Sequence, residues 1–526
     1  MTVISVNNSQ SANSLLTTAK IAATVSTVAS QQQATLAPST SVSIGQTASS
    51  SPVYTITKPV LVWENVSSDL ITSKISSNLG STASNGGFNG LGAALLQRFT
   101  QSGGNYSQSV FQQTSASQTD AATSLASLTR QSQLHGTAEN QVSLSIKTAS
   151  GALVDITMGS DNDGLAVQVK VSKGTLSDTE RAALAKLADG FQKAIDGLTA
   201  EPPKLDLSGL TQFDTSVLSS VDLHANFGTA STLDFHADSN SRTVKSTGAA
   251  GTVAINVDMS KRATLGSESQ QKQAMTQYLK QFDSAGNRGN GDANLMTMFK
   301  DAFTALNSNT GPSATTQKSS GSTPIYFSLN GTDKNMLTGL ADFTASVTQT
   351  TNTNANPMRP GEVDAFSYQV SQTSSITGSS SQDRNITQKQ QAHLVASYHK
   401  PLVADLQLNL TSDKSSQNYL YYQIDDKSES NTSIQYHKGL LVSAATEQSA
   451  STSTRIQKYV QGILQSDTTT PVTTSKSTDL LGKLQSAWQN DKSGMSFQAY
   501  LNQHTLPDLS SLVLLQSDPN QLAQAS

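Results

Sequence analysis

Cysteine is absent from all 526 residues. A disulfide framework, a thiolate zinc site, an iron–sulfur cluster and a cysteine nucleophile are therefore excluded. Charge is scarce as well: charged residues make up 14% of the chain, against about 25% in an ordinary globular domain. The hydrophobic class reaches only 35%, so the missing charge has not become core. Ser, Thr, Gln and Asn take its place, and they solvate a surface without building a strong field. The net charge of −4 implies no whole-chain attraction to nucleic acid or to an anionic membrane. No apolar run reaches the roughly 18 residues of a transmembrane helix. A Sec signal peptide is not expected either, because Lys20 and several threonines interrupt the apolar stretch from Leu15 to Val28 and no basic residue precedes it. The expected location is the cytoplasm, or outside the cell by a non-Sec route.

What is present sorts into segments. Residues 1–51 are rich in Ser, Thr, Ala and Gln and are expected to be disordered. Residues 52–138 hold an extended stretch from Val53 to Trp63, broken at Pro59, and then short amphipathic helices. Their stripes are Leu70, Ile71, Ile75 and Leu79; Leu91, Leu95 and Phe99; and Ala121, Leu125 and Leu128. Residues 139–262 alternate apolar and polar side chains, as in Val142, Leu144 and Ile146, and read as an antiparallel α+β meander. Asp163-Gly164 marks a hairpin whose two turn positions call for positive φ. Ser177-Asp178-Thr179-Glu180 is a capping box opening a helix. Residues 263–308 read as a helical hairpin, and 309–323 as a linker. Residues 324–465 form a second antiparallel β-rich domain that includes a strand at Leu406, Leu408 and Leu410. Residues 466–526 read as a Thr-rich linker and short C-terminal helices. The fold class expected is α+β, with two antiparallel β-rich units, amphipathic helices, and the helical hairpin between the units. Tyr398-His399-Lys400-Pro401 echoes Tyr436-His437-Lys438-Gly439, and both copies read as strand ends.

Few constellations invite chemistry. Asp222-Leu223-His224 and Asp234-Phe235-His236 would face each other across a hairpin, His224 opposite Asp234 and Asp222 opposite His236. Two imidazoles and two carboxylates on one face make these four the candidate metal ligands. A flat strand face seldom converges four ligands, so the expectation is cross-strand pairs of about 0.2–1 kcal/mol each and no metal. Asp161-Asn162-Asp163-Gly164 begins like a calcium loop, but Lys170 stands where the bidentate acid belongs. Gly90-Leu91-Gly92 precedes a helix without the third glycine or the βαβ unit of a dinucleotide site. Tyr419, Tyr421 and Tyr422 could stack on a sugar or a base, but in a strand-like run they read as packing residues. No Gly-x-Ser-x-Gly elbow occurs, and neither a catalytic residue nor a cofactor is expected.

Val3-Ile4, Asn7-Asn8 and Leu15-Leu16 are similar to the opening of flagellins over about twenty residues, though the heptad-patterned helices that follow in flagellins are missing. In composition the chain resembles large Ser/Thr-rich bacterial proteins of the exported or surface type. That resemblance transfers no functional residue. It implies a non-enzymatic structural or interaction protein, whose partner is a protein or a glycan. The alternative is a binding module holding an apolar or glycan ligand on a curved antiparallel sheet.

Overall fold

Alternating apolar and polar residues in the first half of the chain produce short strands, and Ser/Thr/Gln-rich sequence in the second half produces very long ones. The computed structural model describes residues 60–79, 87–113, 120–228, 231–308, 329–404, 406–503, 506 and 508–524. The N-terminal segment 1–51, the extended stretch before Val60 and the 309–323 linker lie outside the described residues.

The strands are β1 (Val60–Trp63), β2 (Tyr106–Gln113), β3 (Asn140–Thr148), β4 (Leu153–Ser160), β5 (Gly164–Lys173), β6 (Leu218–Phe227), β7 (Ser231–Asp238), β8 (Ser241–Gly248), β9 (Gly251–Asp258), β10 (Asp342–Gln349), β11 (Ala365–Gly378), β12 (Arg384–Pro401), β13 (Tyr419–His437), β14 (Leu440–Val460) and β15 (Ile463–Asp479). The α-helices are α1 (Leu70–Leu79), α2 (Leu91–Ser102), α3 (Asp120–Gly136), α4 (Asp178–Leu198), α5 (Ser208–Thr211), α6 (Glu268–Gly289), α7 (Ala293–Asn307), α8 (Gly331–Asn335), α9 (Leu480–Asn490), α10 (Phe497–Leu501), α11 (Ser510–Val513) and α12 (Pro519–Gln524). The protein is mixed α+β and strand-dominated.

All of the strands join one antiparallel sheet in the order β1-β2-β5-β4-β3-β6-β7-β8-β9-β10-β11-β12-β13-β14-β15. The two β-rich stretches are therefore not separate sheets. β9 pairs with β10 along their whole length, Val257 opposite Phe343 and Val253 opposite Val347. The helical hairpin α6–α7 is thus an excursion between neighbouring strands. Sequence periodicity finds strands but says nothing of which pair, and the hairpin separates β9 from β10 by more than eighty residues of sequence.

Two more expectations change. The Thr-rich stretch after Ile463 is the 17-residue strand β15, and its alternation is invisible because both of its faces are polar. Leu406, Leu408 and Leu410 form no strand; Leu408 and Leu410 instead pack on a cluster of Tyr419, Tyr421 and Tyr459. Two of the tight hairpins of the sheet lie at Lys438-Gly439 and Gln461-Gly462, where all four residues have positive φ, as a two-residue turn of this kind requires. Neither Asp163 nor Gly164 has positive φ. The β4–β5 hairpin forms there through a longer turn closed by the Asp161 N–H on the Gly164 carbonyl at 2.9 Å.

One face of the sheet carries the core. Register lines up a row from Val169 through Ile156, Leu144, Leu223, Phe235, Val244, Ile255, Ala345, Val370, Ala392 and Ser428 to Ala450. Large apolar groups fill the first part of this row, where α2, α4 and α7 pack. Leu91, Leu95, Phe99, Leu184, Phe191, Phe299 and Phe303 are all buried there. α4 opens with the expected capping box: the Ser177 N–H donates to Glu180 at 2.8 Å and the Glu180 N–H to Ser177 Oγ at 3.3 Å. A hydrogen bond from Ser150 and the bonds from Ser177 pull the Glu180 carboxyl down to about 2. Over the long strands the row shrinks to Ala and Ser, and the interior becomes polar. Gln372, Gln388, Gln390, Ser430 and Thr432 are all buried. Gln390 holds the C-terminal segment there, donating to the Val513 carbonyl at 2.7 Å and accepting from the Leu515 N–H at 3.0 Å. It thereby satisfies a main-chain carbonyl that the end of a short helix leaves open.

Among the described residues, the opposite face is covered only at its two ends. α3 lies across β4 and β5, so close that a Cβ on Gly159 would sit 2.1 Å from the Leu134 carbonyl oxygen. Leu134 is the buried residue among the described side chains of that helix, while Leu125 and Leu128 of the expected stripe are 68% and 63% exposed. At the far end the loop from Asn352 to Asp364 covers the beginning of β13. Between these covers the face is open and polar.

Candidate functional site

The Asp/His hairpin sits on this open face. His224 Nδ1 is 2.6 Å from Asp234 Oδ1, and His236 Nδ1 is 2.6 Å from Asp222 Oδ1. β6 and β7 pair in the register expected, and Leu223 and Phe235 point into the core. The four side chains thus form two separate cross-strand pairs, with Asp238 3.6 Å from the other nitrogen of His236. Among the described residues, no three or more His, Asp and Glu side chains converge on a point that could hold a metal ion. Leu223→Ala is expected to lower stability by about 2–5 kcal/mol, because it opens a cavity. His224→Ala is expected to cost about 1 kcal/mol or less. Denaturant titration of both variants with and without chelator checks the ranking; a larger effect for His224, abolished by chelator, would reverse it.

The other sequence candidates are fully engaged by the chain itself. Gln192 accepts the N–H groups of Gly92 and Ala93 at 2.9 and 3.3 Å, so donors that could have held a phosphate at the start of α2 are already used. Asp161 and Asp163 both pair with Arg130 of α3. Tyr398 and Tyr422 stack at 5.0 Å on the helix side, and Tyr419 and Tyr421 are buried on the other.

Register also builds a feature that no sequence motif marks. Two adjacent rows of side chains cross the open face at right angles to the strands. One runs His224, Asp234, Lys245, Ala254, Ser346, Gln369, His393, Lys427, Ser451, Thr473. The other runs Asp222, His236, Thr243, Asn256, Thr344, Ser371, Gln391, Glu429, Ser449, Ser475. From β9 to β15 these rows, Ser475 excepted, line a hollow of about 820 Å³. With six interstrand steps of about 4.8 Å, the trough is roughly 29 Å long. Its charges are paired with one another. His393 lies 2.8 Å from Asp425, Lys427 3.3 Å from Asp425, and Lys389 3.3 Å from Glu429. Gln391 donates to Glu429 at 3.0 Å. What remains to a ligand is amides and hydroxyls.

Sequence reading also missed the group beneath the Asn352–Asp364 loop. His399 at the end of β12, with a side chain only 2% exposed, bridges two carboxylates: Nδ1 is 2.7 Å from Asp364 Oδ1 and Nε2 is 3.2 Å from Glu362 Oε2. Tyr419 donates to Glu362 at 2.6 Å, and Asn356 donates to Tyr419 at 2.9 Å. Arg359 covers the ring of Tyr459 at 4.2 Å. Burial opposes the charged form of His399, but its bonds to Asp364 and Glu362 outweigh that and raise its pKa above 6.5. Burial likewise works against charge on Glu362, yet His399, Tyr419 and Tyr459 hold its carboxyl below the usual range. These groups satisfy each other and leave no acid or base facing a substrate; the arrangement is a clasp. A raised folded-state pKa contributes stability that is fully present below the unfolded value of about 6.5 and is lost as pH rises through the folded one. Hydrogen exchange in 352–364, corrected for the intrinsic rate, is therefore expected to lose protection as pH rises above 6.5, and His399→Gln to flatten the dependence. An unchanged pH profile in that variant would remove His399 from the clasp.

Among the described residues, no helix is long and apolar enough to cross a membrane. No family model matches the chain, and neither a curated protein nor a solved structure matches it.

Proposed function

We propose that this chain is a non-enzymatic interaction protein that binds a linear, neutral, hydroxyl-rich glycan along the trough of its open sheet face. The observation that carries this reading is the pair of register-aligned rows. They offer amide and hydroxyl groups at regular spacing over seven strands and line a hollow within the size range of ligand sites. The mutual pairing of Lys389, Lys427, Asp425 and Glu429 argues against a charged ligand, and the polar lining argues against an apolar one. The Ser/Thr-rich, charge-poor, cysteine-free composition supports an exported or surface-associated setting in a bacterium.

Retention on insoluble neutral polysaccharides, followed by titration with soluble oligosaccharides, tests the reading. Replacing Gln369 and Gln391 together with Ala removes two amides from the trough. It is expected to weaken binding about tenfold, at roughly 0.5–1.5 kcal/mol per hydrogen bond. Lys272→Ala on α6 should bind as the parent does. Failure to bind any neutral polysaccharide, or equal affinity for the double variant, would end this reading. Cell fractionation and blotting test the location separately.

A further inference from the structure

The trough does not stop short of the sheet edge; its two rows end on Thr473 and Ser475 of β15. Among the described residues, β15 has no neighbour on its outer side. At 17 residues it is long for an edge, where natural sheets keep strands short or charged because unpaired N–H and C=O groups template further pairing. Every residue from Ile463 to Thr473 is exposed, as are Ser475 and Ser477. Its one mid-strand acid, Asp467, is turned back onto its own sheet and held by Arg455 at 2.5 and 2.8 Å, so it does not repel an incoming strand.

Direction of the main chain decides what can pair. The β14–β15 ladder runs unbroken through Pro471 opposite Ser453. Proline has no N–H to give, so Pro471 takes a position whose main chain points away from β14, as edge-strand prolines do. Positions alternate along an antiparallel strand, which makes Thr469, Thr473, Ser475 and Ser477 outward as well. The trough residues of β15 are thus also those with free outward hydrogen-bonding groups.

We infer that β15 pairs antiparallel with β15 of a second copy, about a two-fold axis through Thr474, so that the trough continues across both chains. In this register Thr473 lies opposite Ser475 of the second copy and the reverse. Same-face residues stay on the same face and both rows run on without a step. Pairing extends from Thr469 to Asp479, except that Pro471 has no N–H to give Ser477 of the second copy, so the central Thr473 and Ser475 pairs carry the ladder. The second copy contributes Thr473 and Ser475 to a trough of doubled length. The choice of register rests on the proposed trough; the pairing of the edge does not.

Because the chain has no cysteine, a single substitution reads the register. In Thr474→Cys the two thiols face each other across the axis at a non-hydrogen-bonded pair, about 4.5 Å between Cα atoms, within the range that a disulfide spans. Mild oxidation of the full-length protein is expected to give a covalent dimer for Thr474→Cys and little for Val472→Cys, whose opposite residue is Lys476. Sedimentation of the unmodified chain should give twice the chain mass. Thr473→Pro removes an outward N–H at the centre without touching the bonds to β14, and is expected to return the mass of one chain with an unchanged thermal midpoint. A monomeric parent, a dimer that survives Thr473→Pro, or cross-linking equal at positions 472 and 474 overturns the proposal. Glycan retention by a monomer would leave the trough reading standing, whereas a Thr474-centred dimer without glycan binding would leave the edge pairing and remove the trough.

Discussion

Asp333→Ala is expected to lower stability by about 3–5 kcal/mol, the cost of leaving a buried cation without its partner. The Asp333 side chain is 0% exposed and Arg384 7% exposed, and they meet at 2.7 Å. Arg384 also lies 3.7 Å over the ring of Tyr436, so the guanidinium cannot swing into water without leaving a packed aromatic. Asp333 additionally completes the cap of α8, accepting the Asn330 N–H at 3.0 Å. The double variant Asp333→Leu/Arg384→Met, which removes both charges and leaves apolar side chains in the site, should recover most of the loss but not the cap. Urea midpoints of the parent, the single variant and the double variant check this. A single variant within 1 kcal/mol of the parent would mean that water reaches Arg384, as would a double variant no better than the single.

Phe282→Ala is expected to cost a comparable 3–5 kcal/mol, through a different mechanism. The ring is fully buried between α6, α7 and the sheet. Phe299, Phe303 and Tyr368 stand 4.7, 5.0 and 5.8 Å from it, centroid to centroid. Truncation leaves a void among rigid rings, which relax less readily than aliphatic chains and forfeit their edge-to-face contacts. The hairpin α6–α7 is held over the junction of β9 and β10, so the loss should appear in one cooperative transition with that of the sheet. Leu128→Ala is the internal comparison: on an exposed part of α3 it should change the midpoint by no more than about 0.5 kcal/mol. A separate early transition for Phe282→Ala would show that the hairpin is not cooperative with the sheet.

The amino-acid sequence by itself determined what short-range physics can determine. The capping box at Ser177 and Glu180, the stripes of α6 and α7, and the alternation in β3 to β9 follow from one periodicity or one local hydrogen bond. The Asp222/His236 and His224/Asp234 pairs were legible because a single tight hairpin fixes them. Sequence failed where the deciding partner was distant. β15 reads as linker because Thr and Ser on both faces give no alternation, and only pairing with β14 makes it a strand. Leu125 and Leu128 form a helical stripe, but α3 is pinned by Leu134 and the closeness of Gly159, which turn that stripe to solvent. The trough is the clearest case: none of its residues is unusual in its own strand. Tertiary structure decided it, because the register of each pairing is set by which face is apolar and by the turns at either end. Only when those pairings add up across the sheet do Gln369, Gln391, Ser449 and Ser451 fall into line.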